Sequence, residues 1–500
     1  MSRRLYIQTV GCQMNVLDSE LVAAQLLQAG YELVDSPRRA DTILLNTCSV
    51  RQHAEDKIYS ALGRLKHFKD RRPDRIIGVL GCMAQKDRQQ ILRRAPHVDL
   101  IVGPGQLSRV PALLERVAAG ERPQIEVSLD RGADDPARVR RSFVQFDPLR
   151  TAQARPIPHQ AMVRIMFGCD KLCSYCIVPS VRGPEQSRPA EEIAAEVRRL
   201  ADEGCLEVTL LGQTVNSYRV RSGGRMIRLA DLLYRLHEIE GIRRLKFVTN
   251  HPRHMTDTLL QAVRDLPKVS PYLHVPAQSG SNRILRRMRR GYTVETYREM
   301  LARIRQTIPQ AAVTSDFIVG FCGETEEDFQ QTVDLVRDAR LKNSFIFKYS
   351  PRPGTKAAEL YADDVPDEVK RRRNNELLAL QNAISLADNQ PFVGRPVEIL
   401  VEGPSKVGRK LDHKAATAGR AGAMPTLAWA CATPEEARHG QTSLAMTPTG
   451  AAPEGEIVQL VGRTVCDRIV VFDGPRELAG RILPVRIEAA DACTLFGRIQ

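Results

Sequence analysis

Phe167-Gly168-Cys169-Asp170-Lys171-Leu172-Cys173-Ser174-Tyr175-Cys176 sets three cysteines on one short loop at the spacing C-x3-C-x2-C. Three thiolates on one loop suit three irons of a [4Fe–4S] cubane. The fourth iron is then left without a protein ligand and open to a substrate or cofactor, unlike the four-cysteine pattern of an electron-transfer ferredoxin. Zinc is the metal alternative, but it takes four ligands and no fourth Cys or His stands close by. Three unligated cysteines are the bland alternative. An apolar, strand-like run, Met162-Val163-Arg164-Ile165-Met166, leads into the loop, and an Arg182-Gly183 turn follows it.

Working outward, residues 158–390 carry six strand candidates, at 162–167, 207–211, 245–249, 272–275, 312–319 and 344–349. Helical patterns lie between them, for example at 189–203 and 324–339. Repeated strand–helix units predict an open (β/α)6 partial barrel with its chemistry at the carboxyl ends of the strands. Cys169 stands just past the first of these ends.

Residues 1–120 also alternate strand and helix, with strands expected at 5–10, 42–45, 75–80 and 98–102 and a helix capped by Asp18 or Ser19. That is the pattern of a parallel sheet with helices on both faces. Cys12, Cys48 and Cys82 follow the first three strands by two or three residues. Ligands of open parallel sheets bind at such ends, so these three thiols are expected to converge on a second metal cluster. Separate buried core cysteines are the competing reading.

These words resemble a known family. C-x3-C-x2-C after a strand is similar to the radical S-adenosylmethionine (SAM) superfamily. Gly11-Cys12-Gln13-Met14-Asn15, Asn46-Thr47-Cys48-Ser49-Val50-Arg51 and Gly81-Cys82-Met83-Ala84-Gln85 resemble its methylthiotransferase family, in particular the branch acting on tRNA. Residues 211–218, 273–280, 315–321 and 349–355 also resemble that family's strand-end motifs. The chain departs from it at Pro184, Asn250, Ala277 and Cys322. The resemblance implies two [4Fe–4S] clusters: Cys169, Cys173 and Cys176 hold the one that binds and cleaves SAM, and Cys12, Cys48 and Cys82 hold the auxiliary one. It assigns no catalytic residue beyond the clusters. It implies SAM contacts at Gly212, Gln213, Ser315, Asp316, Gly320 and Glu324. The implied reaction is methylthiolation of C2 of N6-dimethylallyladenosine at position 37 of tRNA. The substrate is then the anticodon stem-loop, and a flavodoxin or ferredoxin supplies electrons. A methylthiotransferase acting on another tRNA base or a ribosomal protein, and a non-catalytic iron–sulfur RNA-binding protein, are the alternatives.

The bulk composition agrees with this. The 73 basic and 59 acidic residues among 500 give a net charge of +14, which favours a polyanionic partner such as RNA. Basic residues crowd at Arg283, Arg286, Arg287, Arg289 and Arg290 and again from Lys370 to Arg373; contact with RNA phosphates and a plain solvated helix face are the two readings of each run. No apolar run reaches the roughly 18 residues of a membrane span, and no apolar segment follows Arg3 and Arg4 as in a signal peptide. Eleven cysteines without an export signal favour metal or redox chemistry over disulfides. A cytoplasmic monomer is expected.

Residues 121–157, rich in Pro, Gly, Asp and Arg, are expected to be a connector. Short β runs at 396–401, 457–460, 468–472, 481–488 and 494–499 predict a small antiparallel barrel over 391–500. Val461-Gly462-Arg463-Thr464 and Gly480-Arg481 resemble the RNA-binding TRAM domain. A low-complexity insertion is expected at about 406–455. Cys205 and Cys322 are expected in the core, and Cys431, Cys466 and Cys493 without metal. The fold class expected is therefore α/β, with a terminal β-barrel.

Overall fold

The structure is a computed structural model that describes residues 3–49, 52–129, 155, 157–405, 444–445 and 457–500. Apolar runs ended by glycine and polar turns form six strands near the N-terminus. They are β1 (Arg3–Val10), β2 (Tyr31–Leu33), β3 (Thr42–Thr47), β4 (Ile76–Gly81), β5 (Leu100–Val102) and β6 (Gln124–Glu126). All six pair in parallel, in the order β2-β1-β3-β4-β5-β6. β3 and β4 are buried along their whole length, which is why they read as unbroken apolar runs. Leu44, Leu80 and Leu100 pack into one layer and Ile43, Leu45, Ile77 and Val79 into the other. At the edge of this sheet, Leu444–Ala445 pairs antiparallel with Gln8 and Thr9.

Two expectations are corrected here. The first helix, α1, spans Gln13–Gln28, and its N-cap is Cys12. Asp18 and Ser19 lie inside it, fully buried, because Asp18 pairs with arginines of the following domain. The segment expected to be connector opens with β6, whose Gln124 amide donates to the Asp99 carbonyl and completes the sheet. Residues 130–154 of that connector lie outside the described residues. So do 406–443 and 446–456 of the insertion, Cys431 included.

The second unit has six parallel strands: β7 (Gln160–Arg164), β8 (Glu207–Leu211), β9 (Arg244–Phe247), β10 (Tyr272–His274), β11 (Ala312–Val319) and β12 (Asn343–Lys348). They form two halves, β7-β8-β9 and β10-β11-β12. The Leu245 amide donates to the Lys268 carbonyl and the Ser270 amide to the Leu245 carbonyl, closing the seam between them. Helices such as Ala190–Asp202 and Glu326–Ala339 present apolar stripes to this sheet. The third unit is a closed barrel of β13 (Pro396–Pro404), β14 (Ile457–Thr464), β15 (Ile469–Pro475), β16 (Ile482–Ala490) and β17 (Thr494–Ile499). Ile399, Val401, Leu460, Val470, Phe472 and Leu495 fill it.

The barrel docks through the turn after β14. Asp467 accepts from Lys246 at 2.9 Å and pairs with Arg463 at 3.1 Å. Lys342 donates to the Asp467 carbonyl at 2.6 Å, and Arg244 to the Arg463 carbonyl at 2.7 Å. Arg244 opens β9 and Lys342 precedes β12, and Gln160 at the start of β7 lies against Glu402 of the barrel, so the barrel sits towards the amino ends, away from the carboxyl ends that carry Cys169.

Candidate iron–sulfur and SAM site

The Cys169–Cys176 loop is shaped by backbone. Gly168 has φ of +71°, and a Cβ there would stand 1.9 Å from the Pro184 carbonyl oxygen. Only glycine allows that approach. The Cys169 amide donates to Gly183, and the Ser174 amide to Met288. Cys169, Cys173 and Cys176 are half-buried. Arg290 Nη1 donates to Cys173 Sγ at 3.1 Å, and the Thr214 hydroxyl lies 3.7 Å from Cys169 Sγ. Burial, then the neighbouring Cys173, pushes the Cys176 thiol up to about 12. A thiol buried like that of Cys176 ionises only against a strong cation, as in a metal cluster.

The second trio gathers at the carboxyl ends of β1, β3 and β4. Asn46 donates to the Asn15 carbonyl at 2.8 Å and to Ser19 at 2.9 Å, fastening the start of α1 to the end of β3. A Cβ at Gly11 would stand 2.8 Å from Cys48 Cβ, and one at Gly81 would stand 2.2 Å from Asn46 Oδ1. Both glycines are therefore required for the approach. Cys12 is pulled down to about 6, first by a hydrogen bond with Cys48 and then by Arg182. Cys82 is pushed up by burial, against the pull of Arg182. Among the described residues, no three Cys, His, Asp or Glu side chains close to the spacing of a single metal ion. A cubane takes each thiolate on a different iron and so does not use that spacing.

The two trios flank one short helix. Val178–Arg182 begins two residues after Cys176, and its Val181, with Ile177, packs on Cys82. Arg182 closes the helix and reaches back to Cys12 and Cys82. It donates to Asp18 at 2.8 Å, and Arg164 donates to the same carboxylate at 3.3 Å. Both guanidinium groups lie over the Phe167 ring.

Of the six expected SAM contacts, Gly212 and Gln213 follow β8, Ser315 and Asp316 lie mid-way along β11, and Gly320 and Glu324 follow it. Gly212 follows β8, where a Cβ would stand 2.3 Å from Met166 Cγ. Gln213 is half-buried beside it. Ser315 Oγ accepts from the Ala277 amide at 2.9 Å, and Asp316 lies 3.5 Å from His274 Nε2. Glu324 accepts from the Gly320 amide at 2.7 Å and from Arg373 at 2.8 Å, and burial pushes its carboxyl up to about 7.

The basic runs need correction. Arg290, Lys370 and Arg373 are buried. Lys370 pairs with Asp363 at 2.5 Å, and Arg283, exposed, pairs with Asp328. Arg286, Arg289, Arg371 and Arg372 remain exposed. Sequence reasoning missed Arg182, Arg290 and Thr214 at the thiols. It also missed Gln278 and Asn250 at the strand ends, whose side-chain oxygens are buried without a partner. The positive φ of Gln278, +72°, is not legible in the sequence.

Known proteins fit this arrangement. Residues 4–103 match the model of Uncharacterized protein family UPF0004, and residues 163–336 match the Radical SAM superfamily. A tRNA-2-methylthio-N(6)-dimethylallyladenosine synthase from Rhodopirellula baltica is 54% identical over 500 residues, covering 100% of this chain and 96% of the relative. The chain belongs to the tRNA-2-methylthio-N(6)-dimethylallyladenosine synthase family. Synthases of that name from an Acidovorax species and Moorella thermoacetica are 42% and 41% identical, covering 100% and 99% of this chain and 98% and 97% of theirs. Among solved structures, the radical SAM methyltransferase TsrM from Kitasatospora setae superposes with a TM-score of 0.50 at 14% identity, over 72% of this chain and 77% of its own. That likeness concerns the fold. Like the named synthases, this chain is a radical SAM methylthiotransferase. No helix among its described residues is long and apolar enough to cross a membrane.

Proposed function

We propose that this chain methylthiolates C2 of N6-dimethylallyladenosine at position 37 of tRNA, with SAM as methyl donor and radical source. The observation that carries the reading is the pair of three-cysteine sets on either side of Val178–Arg182. Methylthiolation must both activate an inert C–H bond and deliver sulfur, and two adjacent open metal sites divide that labour. When bound, a reduced [4Fe–4S] cluster at Cys169, Cys173 and Cys176 supplies the electron that cleaves SAM, and an auxiliary cluster at Cys12, Cys48 and Cys82 supplies the sulfur carrier.

The chain's own groups do the positioning. Arg290 and Thr214 orient the first thiols. Gly212 leaves room at the end of β8, and Gln213 and Asp316 offer side-chain oxygens. Ser315, Gly320 and Glu324 act through their internal hydrogen bonds: Ser315 holds the loop after β10 at Ala277, and the Gly320–Glu324 bond holds the loop after β11 in shape. The exposed Arg286, Arg289 and Arg371 and the terminal barrel contact the anticodon stem-loop, whose unstacked bases suit recognition. A flavodoxin or ferredoxin supplies electrons, and the enzyme acts as a cytoplasmic monomer.

The test is nucleoside analysis of tRNA from cells lacking their own enzyme and supplied with this chain or its variants. Wild type should restore the methylthiolated nucleoside. Cys173→Ala should abolish 5′-deoxyadenosine formation in vitro, and Cys12→Ala should retain some of it while losing methylthiolation. Wild-type product from either variant would defeat the proposal.

A further inference from the structure

The N-terminal trio of cysteines is served by a side chain from another domain. Arg182 belongs to the helix after the Cys169–Cys176 loop and is only 2% exposed. Its Nη2 is spent on Asp18 at 2.8 Å, and its plane rests on Phe167. Its Nη1 is buried and has no hydrogen-bond partner. An unmade bond on a buried guanidinium is costly, so an acceptor is expected where Nη1 points. The helix that carries the side chain packs on Cys82 through Val181, and the guanidinium interacts with the Cys82 and Cys12 thiols. The other ions facing this region are Asp18, which Arg164 also holds, and Arg352, which lies within electrostatic range of Cys48 and Glu55.

We propose that Arg182 is a positioning residue for the auxiliary cluster: Nη1 donates to a sulfur of the set held by Cys12, Cys48 and Cys82, and the guanidinium charge raises that cluster's reduction potential. The inference rests on the reading that this trio holds a cluster. Reduction adds an electron to an already anionic thiolate assembly. A fixed cation and an N–H···S bond in a dry site stabilise the reduced form more than the oxidised one. Asp18 holds the guanidinium in place and offsets part of its field. One ion pair therefore joins the first domain to the second and tunes the site between them.

The test uses the full chain carrying Cys169→Ala, Cys173→Ala and Cys176→Ala, reconstituted anaerobically so that only the second cluster remains. Its midpoint potential is read by redox titration with electron paramagnetic resonance. Arg182→Gln should move the midpoint to more negative values, and Arg182→Lys should restore most of the shift. Asp18→Asn breaks the same ion pair but leaves the cation, and should move the midpoint the opposite way. Equal or same-signed shifts in Arg182→Gln and Asp18→Asn would reduce Arg182 to a structural tie and overturn the inference. If Arg182→Gln fails to hold iron, the signs for Arg182→Lys and Asp18→Asn decide. Absence of any cluster signal in the parent triple variant would instead remove the second cluster, and this inference with it.

Discussion

Replacing Asp467 with Asn should undock the terminal barrel without unfolding it. The Asp467 carboxylate is held well below the usual range: burial opposes ionisation, but Arg463, Lys246 and Lys342 outweigh it. Removing one partner of a buried charge network costs about 3–5 kcal/mol when the remaining charges are stranded. Here they are not fully stranded. Lys246 keeps Glu207 at 2.9 Å, Arg463 keeps Glu402 at 2.8 Å, and Lys342 keeps the Asp467 carbonyl. The low end, about 3 kcal/mol, is therefore expected, which is roughly a 150-fold weaker docking equilibrium. Hydrogen exchange by mass spectrometry reads this directly. Peptides spanning 464–468 and 244–247 should lose protection by about that factor, while those of β15 and β17, inside the barrel's own core, keep theirs. Unchanged protection at 464–468, or loss of the β15 core together with it, would refute the docking role.

Other consequences are equally direct. Gly168→Ala forces a Cβ against a backbone carbonyl, so bound iron should fall by about half, to the amount held by the Cys12 set alone; full iron content would contradict the tight loop. His251 is pushed down to about 2, chiefly by burial and then by Arg290. The unfolded chain therefore takes up a proton near pH 6.5 that the fold refuses, and stability should fall by about 1.4 kcal/mol per pH unit as pH drops below 6.5 towards 2. His251→Asn, which keeps an acceptor for the Arg253 amide, should flatten that slope in denaturant titrations between pH 5 and pH 7. If Arg286 and Arg289 meet phosphates, replacing both with Ala should reduce the slope of log affinity for tRNA against log salt by about 0.7–0.9 per lost contact. An unchanged slope would place the RNA elsewhere.

The cysteine loops and parallel strands were legible because their signals are local. Gly168 precedes Cys169, Gly11 precedes Cys12 and Gly81 precedes Cys82, and each glycine marks a place where backbone must approach closely. Strands buried on both faces read as apolar runs, and β8, β11 and β17 have the bounds expected of them. The convergence of Cys12, Cys48 and Cys82 followed from one rule, that parallel strands share a carboxyl edge. By contrast, Asp18 in Leu17-Asp18-Ser19-Glu20 has the local pattern of a helix cap. Nothing nearby in the chain announces that its partners are Arg164 and Arg182. Arg290 and Lys370 sat in basic runs that read as exposed, whether meeting phosphates or water, and each proved to be buried.

The sequence by itself determined which cysteines follow strand ends, that the strands run parallel and which family the chain resembles. Those properties depend on residue type, spacing and periodicity over a few positions. Only the tertiary structure decided which charges are buried and what they face: Arg182 beside Cys12 and Cys82, Arg290 on Cys173, Asp467 among three cations of two domains. The physical reason is that an ion pair gains its strength from the burial of both partners, and burial of a polar side chain is settled by elements that meet from distant parts of the chain.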